Sequence, residues 1–236
     1  MMLSTAFPAL VVALVLVVYP NVMAVLAARR QWDQWQAYTI GNTILAAALL
    51  LYALSCGVLP AAWGTPTPAG VLLGAEAGLI PLLVIVAAIC APGAFGRDII
   101  ASGIGDIDGR ALLYRIGVQV ALVTVCVEGF VFRGVLYALL ARVASVSWTV
   151  VLDAVCFGLW HVVLQYNGFT AQRGLSRVAT AAGASTAYGL LGLLLALVRA
   201  SSGALLPALV AHGLLDIVMF GAMYLRRGPR PVAGVQ

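Results

Sequence analysis

Residues 112–141 read LLYRIGVQVALVTVCVEGFVFRGVLYALLA, an almost unbroken apolar run that carries Glu128 and Arg133 in its second half. About 20 apolar residues in a helix cross the ~30 Å hydrocarbon core of a bilayer, so this run is long enough to span one. An ionisable residue near the bilayer centre costs about 2.5–3.5 kcal/mol on insertion scales, so a charge kept there points to function. Six further apolar runs surround it, at roughly 7–28, 37–58, 70–93, 147–166, 178–199 and 203–225. The pattern predicts an all-α fold, a polytopic transmembrane helix bundle of about seven spans.

Composition agrees. Of 236 residues, 63% are apolar and 9% charged, against about 25% charged in soluble domains. Thirteen basic and eight acidic residues give +5, and every basic residue is Arg. A lysine-based catalyst, a disordered chain and an ordinary cytosolic enzyme are thereby excluded. The arginines punctuate the ends of apolar runs and form no stripe, so nucleic acid is not an expected partner; the lipid bilayer is.

Counted at alternate ends of the spans, Arg29, Arg30, Arg97, Arg110, Arg115, Arg173, Arg177, Arg226, Arg227 and Arg230 fall on one side, with Arg142 and Arg199 on the other. The positive-inside rule then places the N-terminus outside and the C-terminus in the cytoplasm. The first run, 7–28, lacks a basic start and is too long for a signal peptide, so it is read as a retained span. Three N-terminal spans (1–111), a helical core (112–225) and a basic tail (226–236) make one membrane domain. The polar loops are 95–110 and 167–177, and no internal repeat is visible. Cys56, Cys90, Cys126 and Cys156 stand singly in apolar runs, the pattern of buried, inert thiols and not of disulfides or metal sites.

The ionisable residues inside the predicted spans are few: Glu76, Glu128, Arg133, Asp153, His161, His212 and Asp216. Both histidines of the protein are among them. His212 and Asp216 are four apart and share a helix face, as do Phe157 and His161. Three helices could therefore converge on a pocket holding Glu128, His161, His212 and Asp216, with Arg133 close by. Glu76, in Gly-Ala-Glu-Ala-Gly, is expected to face the bundle as a structural carboxyl. Gly183, Ser185, Gly189 and Gly192 are expected to allow close helix packing. Trp32, Trp35, Trp63 and Trp148 fit interfacial anchors.

The order of these residues resembles a known family. Val127-Glu128-Gly129-Phe130-Val131-Phe132-Arg133-Gly134 is similar to the EExxFRG motif of the CAAX protease and bacteriocin-processing (CPBP, or Abi) intramembrane proteases, which include the type II CAAX prenyl endopeptidases. Phe157-Gly158-Leu159-Trp160-His161 matches the family's FxxxH, and His212 to Asp216 matches its HxxxN/D ending. The resemblance covers about 112–225. It departs at Gly129, where the family usually has a second Glu four residues before the Arg. Arg133 therefore needs another partner, with Asp153 or helix-end carbonyls as the candidates.

The resemblance implies a peptide hydrolase in which Glu128 is general base on a water, helped by His161. It further implies that His212 donates to the oxyanion and Asp216 orients it, with Arg133, Phe157 and Asp153 as structural support. No cofactor is expected in that mechanism. The alternative is zinc held by Glu128, His161, His212 and Asp216, an acceptable donor set, although no HExxH pair is present. The implied substrate is a peptide or protein, prenylated or not, and the Arg-only, Ala- and Gly-rich composition suggests a bacterial plasma membrane. The rival readings are a catalytically silent binding or immunity protein, whose support is Gly129, and a proton-coupled transporter.

Overall fold

In the computed structural model the described residues are 2–90, 109–168 and 173–226. The acidic part of the 95–110 loop, Arg97 and the tail beyond Arg226 lie outside them. Every element among the described residues is helical: α1 (Met2–Arg30), α2 (Gln34–Ser55), α3 (Pro68–Cys90), α4 (Gly109–Leu140), α5 (Val146–Trp160), α6 (Val162–Gly168), α7 (Gly174–Ser202) and α8 (Leu205–Arg226). Six helical segments are long and apolar enough to cross a membrane, with α5 and α6 counting as one. The expected third span is α3, whose fully described part, Pro68–Leu83, is a shorter apolar helix. The protein is an integral membrane protein.

Local signals set the boundaries. Asp33 caps α2 by accepting from the Gln36 amide at 2.8 Å, and Ser145 caps α5. Gly203 ends α7 with φ +68, a left-handed conformation that suits glycine. Its carbonyl lies where a Cβ on Gly64 would sit, and Gly64 itself has φ +73. The two glycines let the α2–α3 loop rest on the α7–α8 turn.

Two arginines brace this end of the bundle. Arg142 donates to Cys56 O and Gly57 O at 2.7 and 2.6 Å, and Arg199 to Ala62 O at 2.7 Å and to Arg133 O at 3.2 Å. These are the two arginines that break the side-to-side bias, and both are committed to backbone carbonyls. Such groups must be satisfied internally wherever water is scarce.

α3 packs on α8, α7 on α5, and α1 on both α2 and α5. The main core lies between α1, α2, α4 and α5, built from Val12, Leu16, Leu49, Ala53, Phe132, Leu136, Phe157 and Trp160. Large apolar residues such as Leu14, Leu51, Leu72, Ile80, Leu122 and Leu190 point outward, where lipid would meet them.

Three expectations are corrected here. Glu76 is exposed on the outside of α3, not turned into the bundle. Gly74 and Gly78 already occupy the inner face, against Pro207 and Ala211 of α8, and a residue two positions away is rotated by about 200°. Gly183 is exposed with open space around it, whereas Gly189 and Gly192 do abut α5 as expected. The described thiols Cys56, Cys126 and Cys156 are free, but they are not buried as expected: Cys126 is exposed and the other two are half-buried, because their helices turn these positions outward.

Candidate active site

α4 is not wound uniformly. Arg115–Val125 and Phe130–Leu136 take the wider π form, and the four α-helical residues Cys126–Gly129 between them carry Glu128. Thr124 Oγ1 and Cys126 Sγ donate to carbonyls five residues back, Gln119 O at 3.0 Å and Ala121 O at 3.3 Å. Such wide turns are rare and gather at functional sites. A second irregularity separates α5 from α6 at a single residue, His161.

The structure brings Glu128, His161, His212 and Asp216 together, all buried, with Glu128 at 1% exposure. His161 Nε2 lies 4.0 Å from Glu128 Oε1, and His212 Nε2 lies 4.0 Å from Glu128 Oε2. The carboxylate is thus flanked by one histidine on each oxygen. Asp216 Oδ2 stands 3.4 Å from His212 Nε2, as their spacing on α8 predicts.

Hydrogen-bond partners distinguish the two rings. His161 Nδ1 is 2.8 Å from the Phe157 carbonyl. A carbonyl only accepts, so Nδ1 carries the proton and the Nε2 of a neutral His161 presents a lone pair toward Glu128. For His212 the nearby acceptor, Asp216, faces Nε2, which favours the tautomer protonated there. One histidine therefore offers an acceptor and the other a donor.

Arg133 and Asp153 sit behind this group, both 0% exposed. Arg133 Nε is 3.4 Å from Asp153 Oδ1, and its Nη2 donates to Gly192 O at 3.0 Å. Its guanidinium also covers the Phe157 ring at 4.3 Å. Of the candidates named from the sequence Asp153 is used, whereas the carbonyl that Arg133 meets, Gly192 O, lies inside α7 and not at a helix end. The place of the missing second Glu is taken by apolar packing, because a Cβ on Gly129 would run into Leu209 Cδ2. Phe157 joins the two layers: its ring packs edge-on against Phe132 (5.1 Å) and His161 (4.9 Å), while its carbonyl holds His161.

Sequence reasoning missed four residues. Tyr38 of α2 donates to Glu128 Oε1 at 2.8 Å and accepts from Trp160 Nε1. Tyr188 of α7 stacks on His161, with ring centroids 3.9 Å apart and planes 8° from parallel. Asn21 of α1 bridges the break at His161, donating to Leu159 O and accepting from the Val163 amide, both at 2.8 Å. The fourth, Trp160, enters the sequence reading only as a residue within the Phe157–His161 motif. An isolated Tyr or Asn in an apolar run carries no spacing signal that could have singled it out.

The donor types suit zinc, which also demands a set spacing. Two ligands at about 2.0–2.1 Å and a tetrahedral angle are about 3.3 Å apart. Both Glu128–histidine separations are 4.0 Å, which a water bonded at about 2.8 Å to each partner bridges more naturally. Among the described residues no three His, Cys, Asp or Glu side chains are grouped closely enough to hold one ion.

A carboxylate between an accepting and a donating histidine, inside a membrane bundle, has the groups of a water-activating hydrolase. Residues 111–218 match the family model described as Type II CAAX prenyl endopeptidase Rce1-like. This segment contains Glu128, His161, His212 and Asp216, and its match supports a CAAX-type membrane protease family for the part of the chain that carries them. Among curated proteins and among solved structures nothing matches the chain.

Proposed function

We propose that the protein is an intramembrane endopeptidase that hydrolyses a peptide bond close to the Arg-rich, cytoplasmic membrane face, using water activated by Glu128 without a metal. The observation that carries this reading is the placement of Glu128, with a different histidine 4.0 Å from each of its oxygens.

Water held between Glu128 and the His161 lone pair loses a proton to the carboxylate as its oxygen attacks the peptide carbonyl carbon. The carbonyl π bond opens, and the resulting oxyanion accepts from His212 Nε2–H. In the resting site Asp216 Oδ2, 3.4 Å from Nε2, favours that tautomer, and the N–H turns from Asp216 to the oxyanion as it forms. On collapse the C–N bond breaks and the amine nitrogen takes the proton from Glu128, leaving a free carboxyl and a free amine. Arg133, Asp153 and Phe157 hold the helices that supply these groups. Gly129 does not speak for a silent site, since the partner that a second Glu would give Arg133 is supplied by Asp153.

The depth also fits a substrate near the interface. Tyr38 lies four residues inside the start of α2 at Gln34, or about 6 Å, and His161 lies about 10 Å from the end of α6. Both helix ends adjoin arginine-bearing segments, Arg29-Arg30 and Arg173. A CAAX-type protein, anchored by its prenyl group, would present its C-terminal peptide at this level.

The test compares peptide termini in membrane fractions from cells expressing the wild type or Glu128→Gln at equal level. New termini only with the wild type support the protease and reveal its substrate class. Identical profiles where the protein is needed would leave a binding role. Cleavage that survives a strong chelator agrees with the metal-free chemistry, and cleavage lost to it and restored by zinc would overturn it.

A further inference from the structure

The family match begins at residue 111, yet one contact to Glu128 comes from well before it. Tyr38 stands on α2, which packs against α1 and α4. Its hydroxyl makes two hydrogen bonds whose directions are fixed by chemistry. The indole of Trp160 is donor-only, so it must give its proton to the Tyr38 oxygen. The single phenolic proton is then free to point only at Glu128 Oε1. Trp160 is itself locked, 1% exposed and edge-on to both Phe132 (5.4 Å) and the Tyr38 ring (6.3 Å).

A carboxylate side chain turns easily about its last bond, because terminal sp³–sp² torsions have broad wells. The two oxygens of Glu128 face different histidines, so such a rotation would spoil both separations. A hydroxyl fixed on Oε1 prevents it and leaves Oε2 turned toward His212. We propose that Tyr38 is the positioning residue of the active site, orienting the Glu128 carboxylate through the chain Trp160 N–H to Tyr38 O–H to Glu128 Oε1. The proposal rests on the protease reading above. It also makes α2, outside the matched segment, a working part of the site.

The experiment uses the full-length protein in lipid nanodiscs and a quenched, farnesylated peptide ending in a CAAX-type sequence. Tyr38→Phe removes one oxygen and keeps the ring. Losing a hydrogen bond to a charged group predicts a fall in kcat of about 10- to 100-fold, with KM within about twofold. Tyr52→Phe, on the same helix but away from the site, serves as the control with unchanged kinetics. A second readout needs no turnover: the Glu128 carboxylate infrared band, isolated as wild type minus Glu128→Gln, should shift in Tyr38→Phe.

A rate within twofold of wild type in Tyr38→Phe, with Glu128→Gln inactive, overturns the positioning role and leaves the protease reading standing. An equal loss in kcat accompanied by a lowered melting temperature and an unmoved infrared band means Tyr38 is structural, which also overturns it. If Glu128→Gln cleaves as fast as wild type, Glu128 is not the base and the inference falls with that role; if the wild type cleaves nothing, the protease reading itself falls.

Discussion

Asp153→Ala should damage this protein more than any surface change, and the structure gives the size. Arg133 and Asp153 are both fully buried, 3.4 Å apart, and the guanidinium has one hydrogen bond, to Gly192 O. Removing the carboxylate leaves a guanidinium with one carbonyl and a ring face as company. Breaking a buried pair in this way costs about 3–5 kcal/mol. At about 2–4 °C per kcal/mol for a chain of this size, the melting temperature should fall by about 6–20 °C. Asp153→Asn keeps the shape and one acceptor, and should lose roughly half as much. The double change Arg133→Met with Asp153→Leu removes both charges at nearly constant volume and should recover most of the loss. The assay is thermal unfolding of the purified protein followed by tryptophan fluorescence. A drop under about 3 °C in Asp153→Ala, or a double variant no better than the single one, would refute the claim that this pair replaces the missing motif glutamate.

Three shorter tests follow from neighbouring contacts. Gly129→Glu, which restores the usual motif, should destabilise because Leu209 occupies the needed space; pairing it with Leu209→Ala should restore folding, read by size-exclusion behaviour. Gly192→Ala puts a methyl 2.9 Å from Phe157 Cβ and 3.2 Å from Ala154 Cα, an overpacking that should cost about 1–3 kcal/mol and slow cleavage by displacing His161. Asn21→Ala frees the backbone at the His161 break and should reduce cleavage by about 10-fold, the effect of one or two lost hydrogen bonds, while Asn21→Asp, which keeps the acceptor to the Val163 amide, should retain more activity.

The membrane fold was legible because its signal is one-dimensional: apolar length and arginine position need no tertiary information. The candidate group was legible for a related reason. Glu128, His161, His212 and Asp216 are ionisable residues in places where such residues are costly, and they fall on three spans in motif order. Partner choice was only half legible. The absence of a glutamate at 129 says that Arg133 needs a partner, but only the packing of α5 and α7 against α4 shows that Asp153 and Gly192 both serve. Glu76 was misjudged because the same rule assumes that costly carboxylates face inward, whereas here glycines had already claimed the inner face of α3.

Tyr38, Asn21 and Tyr188 escape sequence reading for a deeper reason. Uncharged polar residues are tolerated in spans, so their presence raises no alarm, and their partners are far away in sequence: 90 residues for Tyr38–Glu128 and 138 for Asn21–Leu159. What they share is that each touches an irregular point of the scaffold or a group that rotates freely. Glu128 can turn about its own side chain, and His161 sits on a broken helix whose backbone needs partners. α1 and α2 supply one polar residue to each weak point, which gives the N-terminal helices a role that apolar packing alone would not. An α1–α2 pair with Asn21 and Tyr38 both replaced by apolar residues would still bury the core of Val12, Leu16, Leu49 and Ala53. It should therefore insert and fold, yet leave both members of the Glu128–His161 pair unanchored and cleavage lower than in either single variant. Equal activity in the double variant and the better single variant would show instead that the two contacts are not acting on the same pair.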